Sequence, residues 1–374
     1  MKKFWTALRW VAYAIFSIAL VRDTYYNGWD FNVFHQAALT VLVGQDPYLP
    51  GLESGWVFKY PPWTLPIFVP FGLFSNGVAK LLWGLIQVGL IAYSYRWVQS
   101  HLKSWRVGFW VLASFWFLFA YHALSGQIML LILAGCLYFF ELTRIRALPS
   151  DLGNLFLLSF KIFPVLSWAG LRSQMPWDRR NVKAGIIAFV LFMFLCVIFS
   201  MICLKTADPL PLLKSWVHAA GSSATQLSAE TTRGWRNQGL PALLGRLLED
   251  RGGARSWDIP LTLILYILLG QAWRKVSASE KAPVRWAGWL GLAAAIHPLS
   301  WFHSFVLVFP IAAIAVDHAV HSKNRKRIAV AVFGVFCVTL FTKALGPVGV
   351  FAELVSVKAW GTLICMGSFK VSKA

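Results

Sequence analysis

The chain reads as an all-α polytopic membrane protein, and three observations give that class. First, 58% of its 374 residues are hydrophobic and 13% charged, with mean hydropathy +0.61. That is too much apolar sequence to hide inside a soluble core of ordinary domain size. Second, the apolar residues gather into windows of the length a bilayer demands, about 20 residues per helix. Third, the basic residues behind the formal charge of +20 sit in short loops between those windows. A nucleic-acid binder would collect them on one folded face, so the charge is a topology signal and no nucleic-acid partner is expected. The 20 Trp suit the same class, because indoles favour the boundary between water and headgroups.

Ten crossings can be placed, near 5–21, 76–97, 107–122, 127–143, 184–204, 258–273, 286–302, 304–320, 328–344 and 348–366. With the Met-Lys-Lys terminus in the cytoplasm, 22 Lys/Arg and five acids fall inside, against 13 and ten outside. The resulting +17 against +3 has the sense of the positive-inside rule and puts both termini in the cytoplasm. No small-residue cleavage pattern follows the first window, so it is expected to stay as an anchor. Residues 147–171 are long enough to cross once, yet both flanks are basic. Two readings are open: a re-entrant hairpin broken at Lys161-Ile162-Phe163-Pro164, with Lys161 near its tip, or a single helix with a snorkelling Lys.

This topology leaves two sizeable external loops, 22–75 and 205–257. The first predicts a short amphipathic helix from about Asp30 to Val43, stopped at Gly44, with Ala37, Ala38, Val41 and Leu42 facing lipid or the protein body. Asp46-Pro47-Tyr48 and Tyr60-Pro61-Pro62 then mark a turn and extended chain. The second loop is polar up to a short amphipathic run ending near Leu248. Neither loop is large enough for a domain of its own, so residues 1–374 form one domain in which the loops cap a cavity in the bundle. The five Cys, at 136, 196, 203, 337 and 365, lie in apolar stretches without ligand spacing, so no disulfide or zinc site is expected.

So much polar sequence directly after a crossing suggests chemistry, and Asp30 is its foremost candidate, although Asp also serves commonly as a helix N-cap. The stretch from Asp30 to Pro62 resembles the first external loop of the GT-C superfamily, in particular glycosyltransferase family 87. The shared pieces are Asp30, Phe34-His35-Gln36-Ala37-Ala38, Gly44-Gln45-Asp46-Pro47-Tyr48 and Tyr60-Pro61-Pro62. They continue in family order with Ser125-Gly126-Gln127, residues 161–164, Arg236-Asn237-Gln238-Gly239-Leu240 and residues 298–303 (PLSWFH). The chain departs at Met129, where the family often has Asn, and at Gly239, where Ser is common.

The resemblance implies a GT-C fold and inverting transfer of a hexose, with mannose expected, from a polyprenyl-phosphate donor to a lipid-linked or cell-envelope acceptor outside the plasma membrane. Such a displacement needs a carboxylate to take the acceptor proton and donors to steady the departing phosphate. Asp30 is the expected base. Lys161, His303 and Arg236 are the candidates for the donor phosphate, and Gln127, Asn237, Gln238 and Tyr60 for substrate contacts. Phosphate is already a good leaving group and no acidic pair has ligand spacing, so neither metal nor cofactor is expected. Plainer roles stay open: Asp46 as a turn residue, Gln127 as a helix-end cap, His303 or His297 as interfacial histidines, and Arg233, Arg236 and Arg246 as headgroup contacts. A lipid-linked sugar transporter is the alternative function, though the halves of the chain show no self-similarity.

Overall fold

A computed structural model describes residues 2–54, 56–143, 147–161, 163–172, 179–204, 208, 210–226, 236–247, 255–340 and 345–370. The protein is all-α, and each predicted crossing window is largely helical where described, with breaks at Phe115, 127–128, 297–301 and 355–356. α1 (Lys2–Tyr26) leads into the amphipathic α2 (Trp29–Leu42), and the rest of the first loop holds α3 (Leu49–Ser54), a 3-10 turn from Pro62 to Thr64, α4 (Leu65–Phe68) and a 3-10 segment to Leu73. α5 (Asn76–Ser100) is followed by α6 (Trp105–Ser114) and α7 (Trp116–Ser125), then α8 (Met129–Thr143). α9 (Ala147–Leu158) and α10 (Phe163–Arg172) precede α11 (Arg179–Leu204). The second loop carries α12 (Leu210–Gln226) and α13 (Leu240–Leu247); its polar stretch at 227–235 lies outside the described residues, Arg233 included. α14 (Arg255–Val276), α15 (Ala282–Ile296), a 3-10 segment (Phe302–Val308), α16 (Phe309–His321), α17 (Arg325–Thr339), α18 (Pro347–Leu354) and α19 (Val357–Gly367) complete the chain.

By length and composition, Asn76–Ser100 and Phe302–His321 can each cross a membrane unbroken, and two bent pairs raise the number to four among the described residues. α6 and α7 bend by 49°, α18 and α19 by 70°. The middle of the bundle is α15, every residue of which from Trp286 to Ile296 is buried, packed on the equally buried run from Phe305 to Ala313. An apolar helix buried on all sides is the core of a large bundle. The lipid-facing belt is the converse: α11 exposes Ile186, Ile187, Phe189, Val190 and Phe194, and α14 exposes Leu263, Ile264, Ile267 and Leu268. So much contiguous exposed apolar surface belongs in a membrane.

Residues 147–171 form a helical hairpin. The indole of Trp168 on α10 donates to Asp151 on α9 at 2.8 Å, a contact that a straight helix would hold roughly 25 Å apart at 1.5 Å per residue. Residues 159–161 are non-helical, shortly before Pro164; Ile162 is outside the described residues. Near the hairpin's base, Ser150 Oγ donates to the Phe139 carbonyl (2.7 Å), and near its tip Trp63 Nε1 donates to Ser159 Oγ (2.7 Å). The loops thereby sort to two ends. At one, Asp317 accepts from the backbone N–H groups of Lys103 and Ser104 (both 3.0 Å), and Trp97 donates to Glu141 (2.9 Å). At the other lie the hairpin tip, both long loops and the predicted site residues.

The first loop is built as expected in most respects. α2 ends at Leu42 and Gly44 takes φ +75°, the left-handed conformation that favours glycine. Ala37, Ala38 and Val41 are buried against the protein body, and Leu42, the last residue of α2, lies beside Gly72 and is 36% exposed. Asp46 is a turn residue: its carboxylate accepts the Tyr48 N–H at 2.9 Å, and Tyr48 Oη reaches the Tyr60 carbonyl at 2.9 Å. Residues 44–60 are folded back over α2 by those two bonds.

Candidate active site

Asp30 sits in the first turn of α2, where the helix dipole favours a carboxylate. It is not the cap. Gly28 holds that position, with φ +52° and no side-chain cap bond. The Asp30 carboxylate instead accepts from Gln127 Nε2 at 2.7 Å, across 97 residues of sequence. Two glycines allow this approach. A Cβ on Gly28 would stand 2.7 Å from the Thr24 carbonyl oxygen, and one on Gly126 (φ +73°) would stand 2.8 Å from the Phe31 Cβ. With no side chain on either, the start of α2 lies directly against the α7–α8 turn, and Gly28 N–H donates to the Leu124 carbonyl at 3.0 Å.

That turn is braced from below. His122 accepts the Leu130 N–H at Nε2 (3.1 Å), so its proton is on Nδ1, which faces Gln87 Oε1 at 3.0 Å. The His122 carbonyl takes the Gly126 N–H at 3.0 Å, closing the other side of the same turn. Trp83 Nε1 donates to the Gly126 carbonyl (3.0 Å), and Thr24 Oγ1 to that of Ala123 (3.0 Å). Gln127 is thus presented on a backbone whose polar groups are tied on both sides.

Around Asp30 the charged and aromatic groups come from five segments. Lys161 at the hairpin tip and Lys59 before the Tyr-Pro-Pro turn are both within electrostatic reach of the carboxylate, and the Trp29 side chain bonds to it. Tyr60 lies close to it as well and packs edge-on against Phe160 beside the hairpin tip (5.3 Å). Burial raises the Asp30 pKa above its ordinary value; the Gln127 bond, then Lys161, Lys59 and the Trp29 bond, oppose that rise. The outcome is a carboxylate more basic than a surface Asp, with cations beside it. Tyr121 on α7 lies in the field of both Arg236 and Asp30, which places exposed Arg236 at the same end. His303 is 4% exposed and, like His297, lies in the field of Lys161.

Asn237 and Gln238 are fully buried and hold loops together. Asn237 Nδ2 donates to the Pro298 carbonyl (2.5 Å), while its Oδ1 accepts the N–H groups of Gly239 (3.2 Å) and Ser300 (3.1 Å). Gln238 Nε2 donates to the Glu353 carbonyl (2.7 Å), and its backbone N–H to that of Ser300 (2.8 Å). Arg246 is a scaffold group too, reaching the Asn237 carbonyl (3.0 Å), the Leu354 carbonyl (2.9 Å) and Ser356 Oγ (2.6 Å). Sequence reasoning overlooked Trp29, Lys59, Tyr121 and His122. The signals available were a Lys beside Tyr-Pro-Pro and a Tyr-His pair four to five residues before Gly126.

Comparison with known proteins agrees with this arrangement at the level of family. The match to Glycosyltransferase family 87 covers residues 58–295. It includes Tyr60, Gln127, Lys161, Arg236, Asn237 and Gln238, and leaves Asp30 and His303 outside its limits. No curated protein and no solved structure matches the chain. Since the family match spans more than half of the chain, this protein belongs to glycosyltransferase family 87 and is a membrane glycosyltransferase.

Proposed function

We propose that the protein transfers a hexose, mannose in the first instance, from a polyprenyl-phosphate donor to a lipid-linked or cell-envelope acceptor, with inversion at the anomeric carbon. The acceptor hydroxyl gives its proton to Asp30 as its oxygen forms the new bond to the anomeric carbon. The bond from that carbon to the phosphate oxygen breaks, and its electron pair leaves with the polyprenyl phosphate. Lys161 and Arg236 offer cationic hydrogen bonds to the developing charge, and His303 can add a neutral one. Gln127 orients the base, and Tyr60 lines the approach. Asn237 and Gln238 serve the substrate by fixing the loop that carries Arg236.

The observation that carries this reading is the half-buried Asp30 carboxylate, bonded to Gln127 at 2.7 Å and flanked by Lys161. A general base works best when its pKa is lifted toward the working pH, and burial lifts this one. The site belongs on the external face of the plasma membrane with both termini cytoplasmic, the arrangement that the distribution of basic loops supports. The test is mass spectrometry of glycolipids from cells with the wild-type protein, with Asp30→Asn, and without the gene product. A glycolipid made only by the wild type is expected, with transfer by Asp30→Asn reduced roughly 10²- to 10⁴-fold. Wild-type product levels from Asp30→Asn would remove Asp30 from the chemistry.

A further inference from the structure

The end of the bundle opposite Asp30 holds a pair of cations that the transfer chemistry does not use. The Arg9 guanidinium, from α1, lies 4.9 Å from the centroid of the Trp105 ring, and that of Arg106 lies 5.9 Å from the same ring. Neither forms an ion pair with a described carboxylate. Asp317, the acid bonded to this turn, is buried and already accepts the N–H groups of Lys103 and Ser104. Arg9 Nε is buried without a hydrogen-bond partner among the described residues, a costly state for a charged donor until a ligand supplies the acceptor. Trp105 itself is set by the short α5–α6 turn: Gln99 Nε2 meets its carbonyl at 3.5 Å and packs where Gly108 has no Cβ. An aromatic seam lies beside these cations, between α1 and α6. Tyr13 packs against Phe109 (6.0 Å) and Trp10 (5.8 Å), its hydroxyl donates to that of Tyr95 on α5 (2.9 Å), and Tyr95 lies in the field of Arg9. Trp10 and Trp110 are 63% and 64% exposed, and Ile15 and Ile18 continue the exposed apolar surface of α1.

We propose that Arg9, Arg106 and Trp105 form a headgroup site for an anionic phospholipid, whose acyl chains lie on the exposed apolar surface of α1 and α6. The site is independent of the transfer reading. The non-bridging oxygens of a phosphodiester match the forked N–H donors of a guanidinium, and give Arg9 Nε the acceptor that the chain does not. Two cations without a counter-charge favour a headgroup of net negative charge, whereas a choline headgroup would bring a third cation beside them. Free phosphate would satisfy the same donors but leave Trp10, Trp110 and Ile15 uncovered, so the apolar surface ties the anion to a lipid. The exposed indoles set its depth, because Trp favours the boundary between headgroups and chains. Since Arg9 is on α1 and Arg106 on α6, a phosphate held by both bridges the helix that leads into α2 to the rest of the bundle.

The experiment is native mass spectrometry of the full chain, delipidated in detergent and titrated with dioleoyl phosphatidylglycerol, dioleoyl phosphatidylcholine, dioleoylglycerol and inorganic phosphate. The variants are Arg9→Gln, Arg106→Gln and the two combined. Arg325→Gln with Lys326→Gln removes two exposed charges from the start of α17, at the same end of the bundle, and serves as the control. The wild type is expected to bind the phosphatidylglycerol roughly tenfold more tightly than either of the other lipids. Each single Arg variant should weaken that binding about fivefold and the pair about 25-fold, with the control within about twofold of the wild type. Arg106 is exposed, so Arg106→Gln alone carries the test if Arg9→Gln lowers the yield of folded protein. Equal affinity for the anionic and the choline lipid, phosphate bound as tightly as the lipid, an unchanged affinity in Arg106→Gln, or an equal loss in the control pair would each overturn the assignment.

Discussion

The two halves of the predicted site use their polar residues differently. Around Asp30, the α2 start and the α7–α8 turn spend backbone groups on structure and leave side chains such as Gln127 and Trp29 on the carboxylate. In the 236–240 and 297–303 segments the reverse holds: Asn237 and Gln238 are consumed in joining loops, and Arg236 is the exposed cation they carry. On the proposed reading, the same sort of polar motif serves chemistry in one place and holds the structure together in the other. The distinction is one of burial and partners, so it can be broken by substitution.

The largest effect short of the base itself is expected at Asn237. Asn237→Ala strands the N–H groups of Gly239 and Ser300 and the Pro298 carbonyl in a buried site, at about 1–3 kcal/mol for each group left unsatisfied. Thermal unfolding of the purified variant in nanodiscs should show a markedly lowered Tm and a reduced yield. A wild-type Tm with lost transfer would move Asn237 from a structural role to chemistry.

Gln127→Leu comes next, with the opposite signature. The bond from Gln127 holds the Asp30 pKa down against burial, so removing it raises that pKa further. A base acts only when deprotonated, so the acid limb of the pH–rate profile shifts to higher pH while Tm changes little. A limb that stays in place would mean that Asp30 does not control it. His122→Ala should follow the same direction with a smaller shift, because it loosens the turn that presents Gln127. The double variant should match Gln127→Leu alone in its limb, since both act through one bond; additive shifts would separate them.

Asp30 also predicts a stability effect whose sign is diagnostic. Its pKa is raised in the folded state, so the folded protein holds the proton more tightly than the unfolded chain between the ordinary value and the raised one. Stability from this group is then intact at low pH and falls as pH rises through that window. Asp30→Asn, which cannot ionise, should melt slightly above the wild type at neutral pH, as trade-offs at active sites often do. Equal or lower Tm would argue that Asp30 is a structural group. The smallest expected effect is at Asp46→Ala, which loses one turn bond to Tyr48 and about 0.5–1.5 kcal/mol, with kcat unchanged.

Much of this arrangement was legible from local signals. The apolar windows, the α2 helix with its stop at Gly44, the Asp46 turn and the hairpin break before Pro164 each rest on chemistry confined to a few neighbouring residues. What escaped depends on packing over long separations. Window 107–122 reads as one crossing, but the chain bends by 49° at Phe115, where neither Pro nor Gly marks it. The 70° bend after α18 passes through Ser356 at φ +54°, a conformation that a Ser does not advertise. His122 carries no local signal of its partners, because Gln87 and Leu130 meet it only in the folded bundle. Asn237 looked like a ligand for the same reason, since nothing in its neighbours reveals that Pro298 and Ser300 will occupy it.

The central claim is that Asp30 takes the acceptor proton, and single-turnover transfer by purified Asp30→Asn tests it most directly. With polyprenyl-phosphate [¹⁴C]mannose and a membrane lipid extract as acceptor source, the variant should bind donor as the wild type does yet form glycolipid roughly 10²- to 10⁴-fold more slowly. Donor binding and transfer both at the wild-type level would contradict the account.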